Sequence, residues 1–303
     1  MFLKAAFKNA SVFVQVLMLL AVITFGMTLT YFLSSLLISF KIGASMEAIA
    51  AFMKNPLEYP DILRAMQFLS TLGIFLFPAI ICAWLFSDNY KEYLKIENPI
   101  YMPVAFWAII SMIVAVPFIN LTISINQQIV FPEALKGLET LIKKMEDSNN
   151  QTIDAILNTN NISTALLNFL IICVVAAVSE EFMFRGLLQT LFGRIIRNPH
   201  ILIWTIAIIF SAIHLEFYGF IPRMFLGAWL GYLMYYTKTI WIPVLAHLVN
   251  NSLTIGAYYM FRDAPDKMKE FDTVGSGATW WLAAASLALF FFSFTQIKKA
   301  VKQ

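Results

Sequence analysis

From Ser11 to Phe40 the sequence carries no charged side chain. A helix needs about 20 apolar residues to cross the hydrocarbon core of a bilayer, so this run alone points to a membrane span. It is too long for a signal-peptide core and has no convincing small-residue cleavage site, so it reads as a retained first span. Further apolar runs lie at 65–86, 102–123, 163–193, 200–217, 221–237, 239–261 and 279–297. The expected fold is therefore all-α, a polytopic transmembrane helix bundle of about eight spans. Composition agrees: 60% of the 303 residues are hydrophobic and 13% are charged, against about 45–50% and about 25% in soluble domains. A net charge of +3, with no basic stripe interleaved with aromatics, excludes a nucleic-acid partner. Cys82 and Cys173 both fall in apolar runs and form no CxxC, so they read as small packing residues.

Pro78 and Pro117 lie inside the second and third runs, where membrane helices tolerate kinks if neighbours re-satisfy the backbone. Two linkers are amphipathic. Residues 45–55 place Met46, Ile49, Phe52 and Met53 on one helical face, and residues 133–146 do the same with Leu135, Leu138, Ile142 and Met145. Each is expected as a short interfacial helix or as an ordinary capped loop helix. Asp147 to Asn161, polar and Asn-rich, is expected as a flexible connection. Lys and Arg divide evenly between the two sides of an eight-span chain, but the side opposite the termini has the longest loops, which count little. Both termini are therefore expected in the cytoplasm, with the bundle in the cytoplasmic membrane.

Charged residues inside a span cost about 2.5–3.5 kcal/mol each on insertion scales and mark function by default. The fourth run holds Glu180, Glu181 and Arg185 between apolar stretches. Glu181 and Arg185 stand four apart, so they share a helical face and are expected to pair. Glu180 points about 100° away around the helix and is suited to taking a proton from water. Of the three histidines, His200 follows Asn198-Pro199 at an expected helix start near the interface, while His214 and His247 fall in the fifth and seventh runs. Asn251 shares a face with His247, and Phe210 stands four before His214, where it would wall the site. Three readings compete: a hydrolytic group, a structural lock, and a proton or ion relay.

Three motifs emerge in order: Glu180-Glu181-Phe-Met-Phe-Arg185, Phe210-Ser-Ala-Ile-His214 and His247-Leu-Val-Asn-Asn251. They resemble the EExxxR, FxxxH and HxxxN motifs of the CAAX-protease and bacteriocin-processing family of intramembrane proteases. Gly227 and Gly231 form a GxxxG between them, a spacing that lets helices approach closely. The resemblance covers roughly residues 163–261. It divides the chain into N-terminal spans and a long loop without a recognised motif (1–160), a catalytic helical core (161–262), and a last loop with a C-terminal span (263–303).

The resemblance implies an endopeptidase acting on a membrane-bound protein or peptide within membrane lipid. Glu180, helped by His214, would activate water. His247 and Asn251 would stabilise the oxyanion, and Glu181 with Arg185 would hold the motif helix in place. Glu180, His214 and His247 also have the makings of a three-ligand site for a divalent metal such as Zn²⁺, with a fourth position open to water. A metal-free glutamate mechanism is equally open, as no HExxH is present. A GxSxG elbow is absent too, which argues against a serine hydrolase. The alternative class is a non-proteolytic transporter or a bacteriocin-immunity factor using the same buried cluster. The substrate and the oligomeric state are not written in the sequence.

Overall fold

The computed structural model describes residues 3–302 and contains helices and no strand among them. In chain order the helices longer than four residues are α1 (Val12–Ile42), α2 (Met46–Lys54), α3 (Pro60–Phe86), α4 (Met102–Gln127), α5 (Lys136–Leu157), α6 (Ile162–Phe192), α7 (Pro199–Ala212), α8 (Phe220–Thr237), α9 (Trp241–Phe261), α10 (Pro265–Thr273) and α11 (Trp280–Ala300). Five are long and apolar enough to cross a membrane: α1, α3, α4, α6, and α11 with the turn that leads into it from Gly277. The other three expected spans are helices of 14, 18 and 21 residues, α7, α8 and α9. The chain is an integral membrane protein.

Helix ends follow local chemistry. Ser11, Ser45, Asn161 and Asn198 each accept a backbone N–H of the first turn of α1, α2, α6 and α7 through their side-chain oxygens, as N-caps do. Proline opens α3 and α7, where its missing N–H costs nothing. Both amphipathic linkers are helical, but the second differs from expectation. Instead of a flexible connection after Asp147, α5 runs on to Leu157. Its end is anchored, because Ile156 and Leu157 are buried and the Ile156 carbonyl accepts from Arg64 at 3.1 Å and from Asn168 at 2.9 Å.

The chain divides into two compact units, residues 3–94 with 145–187 and residues 95–144 with 188–302. In the first, α1 and α3 cross closely at Gly26 and Gly73. A Cβ on Gly26 would lie 2.0 Å from the Gly73 carbonyl oxygen, so only glycine permits this approach. Five residues of α3, Leu72–Leu76, form a π turn just before Pro78. Such a widening accommodates a proline that cannot donate to the preceding turn. Arg64, buried, donates through Nε to Asn168 Oδ1 at 2.6 Å and so ties α3 to the start of α6.

In the second unit α4, α8, α9 and α11 share a core built on Ala108, Met112, Trp229, Leu230, Ile242 and Ile297. The Trp229 indole donates to Ser111 Oγ at 3.1 Å. The corner between α8 and α9 turns on Lys238 in the left-handed region, φ 57°. It is pinned to the segment before α4, where Ile240 N and Trp241 Nε1 donate to the Lys95 and Ile96 carbonyls.

Candidate active site

The first unit contributes the EExxxR helix. α6 is not a regular α-helix: Leu170–Val175 and Phe182–Leu188 are π turns, and Glu180 and Glu181 lie in the short α segment between them. π turns are rare and often accompany functional sites. Arg185 and Glu181 are fully buried and pair at 2.7 Å, Nη1 to Oε1. In apolar surroundings either charge alone would be far costlier than the pair. Phe184, beside them, packs on Phe75 of α3 and lies under the Arg185 guanidinium. Gly186 lets Leu94 approach, since a Cβ there would meet Leu94 Cδ2 at 2.9 Å.

Glu180 is half-buried.

The second unit contributes the histidines and Asn251. Phe210, fully buried in α7, presents its ring to both imidazoles. The centroid of His214 lies at 5.2 Å and that of His247 at 6.0 Å, both edge to face, the favoured aromatic geometry. The FxxxH phenylalanine therefore walls two motifs at once. His247 is buried in α9, and Asn251 is half-buried one turn on. The neighbouring Asn250 amide donates to Asn251 Oδ1 at 3.3 Å.

His214 does not lie within the helix expected over 200–217: α7 ends at Ala212 and His214 sits in the turn that follows. The reversal is made at Leu215, which adopts a left-handed φ of 55° and so stops the helix. In this turn His214 Nδ1 is 2.7 Å from the Phe210 carbonyl oxygen. A carbonyl only accepts, so Nδ1 carries the hydrogen and Nε2 of the neutral ring is the acceptor. That is the tautomer a base or a metal ligand needs at Nε2.

The 213–219 segment is held on several sides by residues that motif reading did not single out. Asn126 at the end of α4 donates to the Phe217 carbonyl and accepts from Ile221 N, both at 2.8 Å. Ser211 Oγ donates to the Phe220 carbonyl at 2.7 Å, and Glu216 pairs with Arg223. Tyr218 Oη donates to Glu139 Oε1 of α5 at 3.2 Å, and Lys143 pairs with the same carboxylate at 2.8 Å. Lys143, by hydrogen bond and charge, holds the Glu139 carboxyl below its ordinary value. The signal was visible for Asn126 alone, as an amide closing an apolar run. α8 approaches this wall through its GxxxG: a Cβ on Gly227 would lie 3.0 Å from the Phe210 ring, and one on Gly231 would lie 2.9 Å from Ile203.

Within neither unit do three His, Cys, Asp or Glu side chains among the described residues converge as a metal cluster. The candidate metal set of Glu180, His214 and His247 draws on both units.

Residues 162–253 match the family described as Type II CAAX prenyl endopeptidase Rce1-like. The matched stretch opens at the start of α6 and closes two residues after Asn251. It contains all three motifs, in agreement with the resemblance to the CAAX-protease family. Among curated proteins and among solved structures, nothing matches the chain.

Proposed function

We propose, on the premise of the family match over residues 162–253, that this chain is an intramembrane endopeptidase acting on a membrane-anchored protein or peptide. Glu180, assisted by Nε2 of His214, takes the proton of the attacking water. His247 and the Nδ2 group of Asn251 donate to the oxyanion as the tetrahedral intermediate forms. Peptide hydrolysis requires these two functions, a general base and preorganised donors. Glu181 and Arg185, paired inside α6, fix the helix that presents Glu180. The observation that carries the reading is the imidazole pair on Phe210, with His214 held in the tautomer whose Nε2 accepts. We infer from the distribution of Lys and Arg that both termini lie in the cytoplasm.

The decisive experiment uses purified protein reconstituted in vesicles with peptides anchored by an isoprenyl group, an acyl chain or a hydrophobic helix. Products are read by mass spectrometry. Cleavage is expected from the wild type and not from Glu180→Ala, His214→Ala or His247→Ala. A folded variant that cleaves like the wild type removes its residue from the mechanism. Proton flux that depends on Glu180, with every peptide left intact, replaces the enzyme reading with transport. Activity retained in chelator assigns water activation to Glu180 without a metal. Activity lost in chelator and restored by Zn²⁺ assigns Glu180, His214 and His247 as ligands.

A further inference from the structure

An apolar cavity of about 360 Å³ lies in the second unit, bounded by α4, α7, α8 and α11. It is separate from the Phe210 wall. Phe118, Trp204, Phe225, Trp229, Phe290 and Phe294 line it. One end is polar. There His200 Nδ1 is 2.8 Å from Tyr232 Oη, and Tyr236 stacks on Tyr232. The exposed Lys298 holds its ammonium over two of the lining rings, 5.2 Å from Tyr236 and 5.5 Å from Phe294. No carboxylate pairs with Lys298 among the described residues.

The polar end coincides with helix termini. His200 is in the first turn of α7, Tyr236 in the last of α8 and Lys298 in the last of α11. The apolar part runs inward from there. Tyr236 and Phe225 both line the cavity, and α8 rises about 16 Å between them. A cation held by ring faces at the headgroup level, above a slot with little polar lining, suits an amphiphile with a negative head. A neutral isoprenoid or a second copy of this apolar face leaves the ammonium without a counter-charge.

We propose that this cavity binds one anionic glycerophospholipid, with an acyl chain among the aromatic rings and the phosphate at Lys298 and His200. The test is native mass spectrometry of the full chain released from nanodiscs holding phosphatidylglycerol and phosphatidylcholine of matched chains. One phosphatidylglycerol is expected to stay bound, with about fivefold preference over phosphatidylcholine, the scale of one cation near the surface. Lys298→Glu is expected to abolish the preference, and Leu287→Trp, which enlarges a residue of the cavity lining, to lower retention of both lipids. Equal retention of the two lipids by the wild type overturns the proposal. So does an unchanged preference in Lys298→Glu, or retention of a neutral isoprenoid alcohol equal to that of phosphatidylglycerol. Lys298 is exposed, so its variant decides the matter even where Leu287→Trp fails to fold.

Discussion

The EExxxR helix and the histidine-bearing turn solve the same problem in opposite ways. In α6 two opposite charges, Glu181 and Arg185, are buried and pair within their own helix, four residues apart at 2.7 Å. In the second unit His214 sits on irregular backbone and is positioned by partners from α4, α5, α7 and α8. The first arrangement is compact, a pair of buried charges on adjacent turns of one helix. The second is distributed, so single losses there should be smaller, except at the groups proposed to touch substrate.

Arg185→Ala is the sharpest way to break that contrast. It leaves the Glu181 carboxylate in an apolar interior, where breaking a buried pair costs about 3–5 kcal/mol. The thermal unfolding midpoint in detergent should fall sharply, and the double replacement Glu181→Leu with Arg185→Met should recover most of the loss. A single variant as stable as its double would show that α6 does not rely on the pair. His247→Ala should lower the cleavage rate about 10²–10³-fold, the usual cost of an oxyanion donor. Its stability should fall much less than that of Arg185→Ala.

Gly227→Val drives a side chain towards the Phe210 ring and the Ala207 backbone, and overpacking of this kind costs about 1–3 kcal/mol. Its expected signature is impaired cleavage together with lowered stability, since Phe210 touches both imidazoles. Tyr218→Phe removes one tether of the 213–219 segment, worth about 1 kcal/mol. Amide exchange there should quicken while α6 is unaffected. The smallest effect is one of pH. Because Lys143 lowers the Glu139 pKa, the tether is at full strength above the ordinary carboxylate value of 4.5. It should fade only as pH falls through the lower folded value, and exchange of 213–219 measured along an acid series checks this.

The helices and the pairing in α6 were legible because both rest on short-range rules. Apolar run length marks spans, and residues four apart share a face. Neither rule registers a π turn, so the two π turns of α6 escaped the sequence. Hydropathy also misplaced His214, since Ile213, Leu215 and Phe217 keep the run apolar after the backbone has left the helix at Ala212. The helical end of α5 was hidden for a related reason. Its polar, Asn-rich composition reads as a linker, and only long-range bonds from Arg64 and Asn168 to Ile156 reveal the anchor. Asn126, Ser211 and Tyr218 follow no motif spacing, because they act across elements far apart in sequence.

The brevity of α7 has a consequence for hydration. Its 14 residues rise about 21 Å, while the hydrocarbon layer is about 30 Å thick. A helix of this rise that starts at one face and stands along the bilayer normal ends inside the hydrocarbon layer, and irregular backbone at that depth persists only against protein or beside a wet cavity. His214 stands on such backbone, so the turn that ends the helix also marks where a hydrated vestibule would admit the molecule consumed in hydrolysis. The same short rise predicts sensitivity to acyl-chain length.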